Sequence, residues 1–115
     1  AMVILAEGNP IEIRSGIETD FKITPQQLED AITPKTKLVM LNSPNNPSGS
    51  MYTEAKYEAL AAVLEKHPNI FVLSDEIYEH INYDGVTPFS FAAIPSMYER
   101  TITVNGLAKA FAMTE

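Results

Sequence analysis

The fold is decided by residues 53–74, which read TEAKYEALAAVLEKHPNIFVLS. Thr53 can cap a helix, and His67-Pro68-Asn69 can end it. Between these limits, apolar residues recur on one helical face, at Tyr57, Leu60, Ala61 and Leu64. The run at 70–74, IFVLS, has the length and composition of a buried strand. The stretch therefore predicts an amphipathic helix that leads directly into a strand.

Two further apolar runs frame this unit. Residues 37–42, KLVMLN, and residues 101–104, TITV, are continuous runs of the kind found in strands that are buried on both faces. Residues 43–49, SPNNPSG, cannot continue a strand because two prolines remove ladder donors. Alternation of strand and helix gives parallel strands with right-handed crossovers. We therefore predict an α/β fold, with a mainly parallel sheet and flanking helices.

The first part of the chain predicts shorter elements. Residues 2–6, MVILA, and 11–13, IEI, are typical of short strands, and the EGNP sequence at 7–10 is typical of a turn. Thr24 can cap a following helix, with Pro25 at its first position and Gln27 completing a capping box. That helix is expected to stop at Thr33-Pro34.

Composition limits the class of protein. With 115 residues the chain is one ordinary domain, and eight basic against fifteen acidic residues give 8 − 15 = −7, which disfavours nucleic acid and anionic membranes as partners. The sequence has no cysteine, no apolar run long enough to span a membrane and no signal-peptide pattern, so a cytoplasmic location is expected. Without a His or Cys cluster at ligand spacing, no metal site is predicted.

Polar side chains follow each predicted strand of the sheet. Ligands bind beyond the carboxyl ends of parallel strands, where Asn46, Asp75, Tyr78 and Lys109 should converge. Each residue alone has an ordinary explanation: a turn amide, a helix cap, a half-buried phenol and a solvated surface amine. Together they could hold a flat polar ring from several sides.

Three motifs in series carry a family resemblance over essentially the whole chain. Residues 42–49 (NSPNNPSG), 74–78 (SDEIY) and 103–114 (TVNGLAKAFAMT) resemble the class I and II aminotransferases of fold type I, and the bacterial aspartate aminotransferase subgroup in particular. The resemblance implies that residues 1–115 are part of the cofactor-binding large domain, without the small domain. It also implies an enzyme that moves an amino group from an amino acid to a 2-oxo acid.

The same resemblance assigns roles to the four candidate residues. Lys109 is similar to the lysine that forms an aldimine with pyridoxal 5'-phosphate and then moves the substrate's α-proton. Partial burial would favour the neutral amine that this role needs. Asp75 matches the aspartate that pairs with the pyridine nitrogen, and Tyr78 the tyrosine whose hydroxyl meets the phenolic oxygen. Asn46 matches the asparagine that bonds to that oxygen and reaches the substrate carboxylate, and its bond to Pro47 is a candidate for the cis form.

Other positions depart from the family pattern. Ala108 stands where many relatives have serine, Gly106 where others carry a phosphate-binding hydroxyl, and Glu115 where the family usually has glycine. Arg14 and Arg100 are expected to be surface charges, so the sequence offers no arginine for a phosphate or a substrate carboxylate. These departures predict a fragment that is inactive alone.

Alternative functions remain open at this point. The same motifs also serve carbon–sulfur lyases, and a non-catalytic truncated structural fragment is a further reading. The family resemblance implies a homodimeric parent protein. The fragment itself is expected to self-associate, because an incomplete sheet exposes apolar surface.

Overall fold

The computed structural model describes residues 2–81 and 85–113. Its centre is a three-stranded sheet of β1 (Leu38–Asn42), β2 (Phe71–Asp75) and β3 (Thr101–Val104), in that spatial order. Both strand pairs are parallel. The three predicted strands and the parallel α/β architecture are therefore confirmed.

The helices of the fold are short except for one. Four α-helices occur within the described residues: α1 (Met2–Leu5), α2 (Pro25–Ala31), α3 (Glu54–Glu65) and α4 (Leu107–Ala110). Three 3-10 segments lie at Ile17–Thr19, Phe91–Ala93 and Pro95–Arg100. Of the described helices, none combines the length and the apolar character that crossing a membrane requires.

Both predicted helix starts are confirmed. Thr24 accepts a hydrogen bond from the Gln27 backbone N–H, and the Gln27 side chain accepts one from the Thr24 N–H, which completes the capping box. Thr53 caps α3 by accepting a bond from the Lys56 N–H at 3.3 Å. The predicted apolar face of α3 is buried, with Leu64 fully inaccessible.

Residues 2–13 differ from the prediction. Residues 2–5 form helix α1, and no strand is present at 11–13. A strand needs a neighbouring strand for its backbone hydrogen bonds, whereas a helix forms them within its own segment. The bond from the Ala6 N–H to the Met2 carbonyl is an example. The strand predictions for this part of the chain were therefore wrong.

The hydrophobic core lies on one side of the sheet. Leu41, Val72 and Ile70 pack there with α3 and with Phe91 and Met97 of the 3-10 segments. The other side is open, and its exposed side chains include Leu38, Met40, Phe71, Ile102 and Val104. The expectation that an incomplete sheet exposes apolar surface is therefore confirmed for the described strands, because the helices of this chain cover only one face of the sheet.

Arg100 also departs from the prediction. Its guanidinium is half-buried and donates hydrogen bonds to the carbonyls of Leu64 (3.0 Å), His67 (2.6 Å) and Ile70 (2.9 and 2.6 Å). These carbonyls lie at the end of α3 and in the turn before β2. Arg100 is therefore a capping cation that joins helix, turn and sheet, rather than a free surface charge.

Candidate functional site

The parallel register brings the ends of the strands to one edge of the sheet. Asn42 stands opposite Asp75, and Asp75 opposite Val104. The three segments that follow, at 43–50, 76–81 and 105–113, therefore leave the sheet at the same edge. Asn46, Tyr78 and Lys109 lie on these segments, and Asp75 is the last residue of β2.

Asn42, the last residue of β1, organises the loop at 43–50. Asn42 accepts bonds from the Asn45 side chain at 3.0 Å and from the Asn46 backbone N–H at 3.3 Å. Its own amide donates to the Asp75 carbonyl at 3.2 Å, which fixes the loop to β2. The peptide bond between Asn46 and Pro47 is cis, as predicted. Asn42 was not singled out from sequence, although an amide that ends an apolar strand is a usable signal.

A direct side-chain contact joins the first two segments. The Nδ2 of Asn46 donates a hydrogen bond to the Oη of Tyr78 at 2.9 Å, across 32 residues of sequence. In this contact the Tyr78 oxygen is the acceptor, so the hydroxyl hydrogen of Tyr78 can still be donated to another group. The amide and the phenol therefore form one polar surface at the sheet edge.

Asp75 and Lys109 complete the set in different ways. The Asp75 side chain is half-buried, and its Oδ1 accepts a bond from the Ile77 N–H at 3.2 Å, as a turn cap would. Lys109 lies in α4 and is exposed, so the expected partial burial is not met in this chain. Helix α4 has only four residues, and none of them is buried.

A second polar contact joins the last two segments. The Asn105 side-chain amide donates to Oε1 of Glu79, while its Oδ1 accepts from the Gly106 N–H at 2.8 Å. His80 is exposed, with its Nε2 3.2 Å from the same Glu79 oxygen. A small open cavity of about 230 Å³ lies between these residues and α4, lined also by Leu107 and Phe111.

The polar groups at this edge are of the kinds that could hold the ring of a flat, polar cofactor. They comprise an amide donor, a phenol, a carboxylate and an amine, presented by neighbouring segments of one sheet edge. A phosphate partner is not found among the described residues here, because Arg100 is engaged at the opposite end of β2. Glu115, which follows the third motif and departs from the family pattern, lies outside the described residues.

Comparison with known proteins identifies the family of this chain. The family described as "Aminotransferase class I and II" matches residues 1–115. An aspartate/prephenate aminotransferase of Cereibacter sphaeroides is 48% identical over 116 residues, which cover 98% of this chain and 28% of that protein. The enzyme of the same name from Nitrosomonas europaea is also 48% identical, and the chain spans 29% of its length.

Solved structures give the same result. The aspartate aminotransferase of Rhizobium meliloti superimposes with a TM-score of 0.95 at 46% identity, over 98% of this chain and 28% of that one. An aromatic aminotransferase from Pyrococcus horikoshii gives 0.91 at 43% identity, over 97% and 30%. A match of the whole chain in sequence, together with this close superposition of the backbone, leads to one assignment. The chain belongs to the class I and II aminotransferase family.

Proposed function

We propose that residues 1–115 form part of the cofactor-binding large domain of an aminotransferase, and that Lys109 is the residue that holds pyridoxal 5'-phosphate. The observation that carries the proposal is the hydrogen bond from Asn46 to Tyr78, because it unites two strand-end motifs into one polar surface. The relatives named above are aminotransferases, which favours amino-group transfer over the carbon–sulfur lyase reaction.

Each candidate residue then has a defined task. When bound, pyridoxal phosphate supplies a protonated ring that accepts the electron pair left by the departing α-proton. The Asp75 carboxylate holds the proton on the ring nitrogen, since an adjacent negative charge favours the cationic form. The Nζ of Lys109 would hold the cofactor and, when free, would move the proton at the substrate's α-carbon.

Asn46 and Tyr78 would bind the phenolic oxygen of the cofactor. The Tyr78 hydroxyl would donate to this oxygen, because its hydrogen is not used in the bond that its own oxygen accepts from Asn46. The second hydrogen of the Asn46 amide would be available to the same oxygen or to a substrate carboxylate. The substrates are an amino acid and a 2-oxo acid.

Cofactor trapping tests this proposal directly. The purified chain is incubated with pyridoxal phosphate, reduced with borohydride and digested, and the modified lysine is identified by mass spectrometry. We expect saturable labelling at Lys109 that is lost in Lys109→Ala. Lys66→Ala is the matched control, because Lys66 is an exposed lysine at the end of α3. Labelling spread evenly over all lysines would contradict the assignment.

Turnover tests a separate part of the proposal. The described residues offer no arginine at the sheet edge for a phosphate or a substrate carboxylate, so we expect the 115-residue chain to be inactive alone. Transfer of an amino group from aspartate or glutamate by the purified chain would disprove that expectation. A homodimer is the proposed assembly of an enzyme that contains these residues.

Self-association of the chain is proposed from the open side of the sheet. Phe71 is 53% exposed and Ile102 is 53% exposed, and both lie on that side with Met40. Sedimentation velocity over a range of concentrations should show species larger than the monomer. A strictly monomeric chain at all concentrations would count against this proposal.

A further inference from the structure

Glu76 is a buried carboxylate that the roles proposed above do not use. It follows Asp75 directly, and its backbone N–H donates to the Val104 carbonyl at 2.8 Å, which extends the pairing of β2 with β3. Because side chains alternate along a strand, Glu76 falls on the covered side with Val72 and Ser74. These three residues are 6%, 0% and 0% exposed.

The carboxylate is held by two hydroxyl groups. Oε1 of Glu76 accepts from the Ser74 Oγ at 3.0 Å and from the Ser90 Oγ at 2.8 Å. Ser90 directly precedes the 3-10 segment at Phe91–Ala93, so one carboxylate oxygen ties the end of β2 to a segment 14 residues further on. A buried carboxylate is costly unless such bonds are made.

The backbone of Glu76 begins the turn that carries the candidate ring-binding residues. Its carbonyl accepts from the Glu79 N–H at 2.9 Å, and Tyr78 lies within that turn. Inside the turn, the Ile77 N–H donates to the Asp75 carboxylate. The orientation of the Asp75 carboxylate relative to the Tyr78 hydroxyl therefore depends on the backbone at residues 76 and 77.

We infer that Glu76 is a positioning residue, whose buried carboxylate fixes the turn that presents Asp75 and Tyr78 to a cofactor. It lies on the side of β2 opposite to Asp75, so it acts through the backbone and not by contact with the ring. The part of this inference that concerns the cofactor rests on the proposed function; the part that concerns the turn does not.

Nuclear magnetic resonance of the ¹⁵N-labelled chain tests the turn without cofactor. In Glu76→Ala we expect the Ile77 and Glu79 amides to exchange about tenfold faster or more, since two hydrogen bonds to a charged group are lost. The amides of Val72 and Leu73 in the sheet should keep their protection. The side-chain amide signal of Asn46 should move as its contact with Tyr78 loosens, which a purely structural role of Glu76 would not require.

Two variants serve as rescue and control. Glu76→Gln keeps an acceptor oxygen for both serine hydroxyls and should restore the Asn46 signal and the protection of the turn. Glu65→Ala removes a similar bond on the surface, where Oε1 of Glu65 accepts from the Ser96 Oγ at 2.7 Å, and should change neither. Unchanged turn amides and an unchanged Asn46 signal in Glu76→Ala would overturn the inference.

A milder variant separates a local effect on the turn from general unfolding, which Glu76→Ala could cause. Ser90→Ala removes one of the two donors, and it should accelerate exchange of the turn amides while the sheet amides stay protected. Equal acceleration in turn and sheet, or none in either, would refute the positioning role.

Cofactor trapping separates the inference from the proposed function. Half-maximal labelling of Lys109 should need about tenfold more pyridoxal phosphate in Glu76→Ala and a near wild-type concentration in Glu76→Gln. If the wild-type chain were not labelled at Lys109, the proposed function would fail, and the exchange measurements would still decide whether Glu76 positions the turn.

Discussion

Replacement of Arg100 by methionine should destabilise the chain well beyond the loss of a surface charge. Its guanidinium donates to the carbonyls of Leu64, His67 and Ile70. Two of these keep a backbone partner, because Leu64 O also accepts from His67 N–H and His67 O from Ile70 N–H. We therefore take a cost of about 1 kcal/mol for each carbonyl, below the roughly 1.5–3 kcal/mol of bonds to charged groups, or about 3 kcal/mol in all.

Urea denaturation followed by circular dichroism measures this loss. For a denaturant slope of about 2 kcal/mol per molar, the Arg100→Met midpoint should fall by about 1.5 M. Arg100→Lys keeps the charge near the end of α3 without the planar fork, and should recover part of the loss. Arg14→Met is the matched control on an exposed arginine and should stay within about 0.5 kcal/mol of wild type. Equal midpoints for Arg100→Met and Arg14→Met would refute the capping role.

Three further outcomes are expected. Burial raises the pKa of Tyr57 to about 12, and the negative charge of Glu76 contributes to this rise. The neutral phenol therefore adds about 3 kcal/mol to the free energy of unfolding below pH 10, and this contribution is lost as the pH rises through 12. Tyr57→Phe should remove most of this alkaline loss in denaturation curves taken across that range, and a curve identical to wild type would contradict the assignment. Tyr78→Phe removes the acceptor of the Asn46 amide. Trapping of pyridoxal phosphate on Lys109 should then need about tenfold more cofactor. An unchanged concentration dependence would show that Tyr78 is not part of the site. Thr24→Ala breaks the capping box and should lower the free energy of unfolding by about 1 kcal/mol in urea, with no change counting against its role as a cap.

The central elements could be predicted from sequence because their signals are local. The helix α3 carries its own cap and apolar face, and the runs at 70–74 and 101–104 match β2 and β3 within one residue at either end. The capping box of α2 is likewise a matter of four consecutive residues. Such features need no knowledge of what lies elsewhere in the fold.

Features that depend on partners far away in the sequence were not predicted, because the sequence signals used are local. An apolar run at residues 2–6 suits a strand, but a strand requires a neighbour, and residues 2–81 and 85–113 provide none there. Arg100 bonds to carbonyls 30 to 36 residues away, which charge and hydropathy alone do not reveal. The motif at 74–78 drew attention to Asp75 and Tyr78, while the role of Glu76 depends on Ser90, which lies outside that motif.

The alternation of side chains along β2 gives two adjacent carboxylates unlike surroundings. Asp75 is accessible to whatever binds at the sheet edge, and Glu76 is enclosed with Ser74 on the covered side. The register of β2 against β1 and β3 decides which of the two side chains lies on which face of the sheet. Deletion of a single residue in β2 would exchange their positions: the aspartate, one methylene shorter, would enter the core, and the glutamate would face outward. The role of each carboxylate in this motif therefore depends on its position along the strand as well as on its residue type.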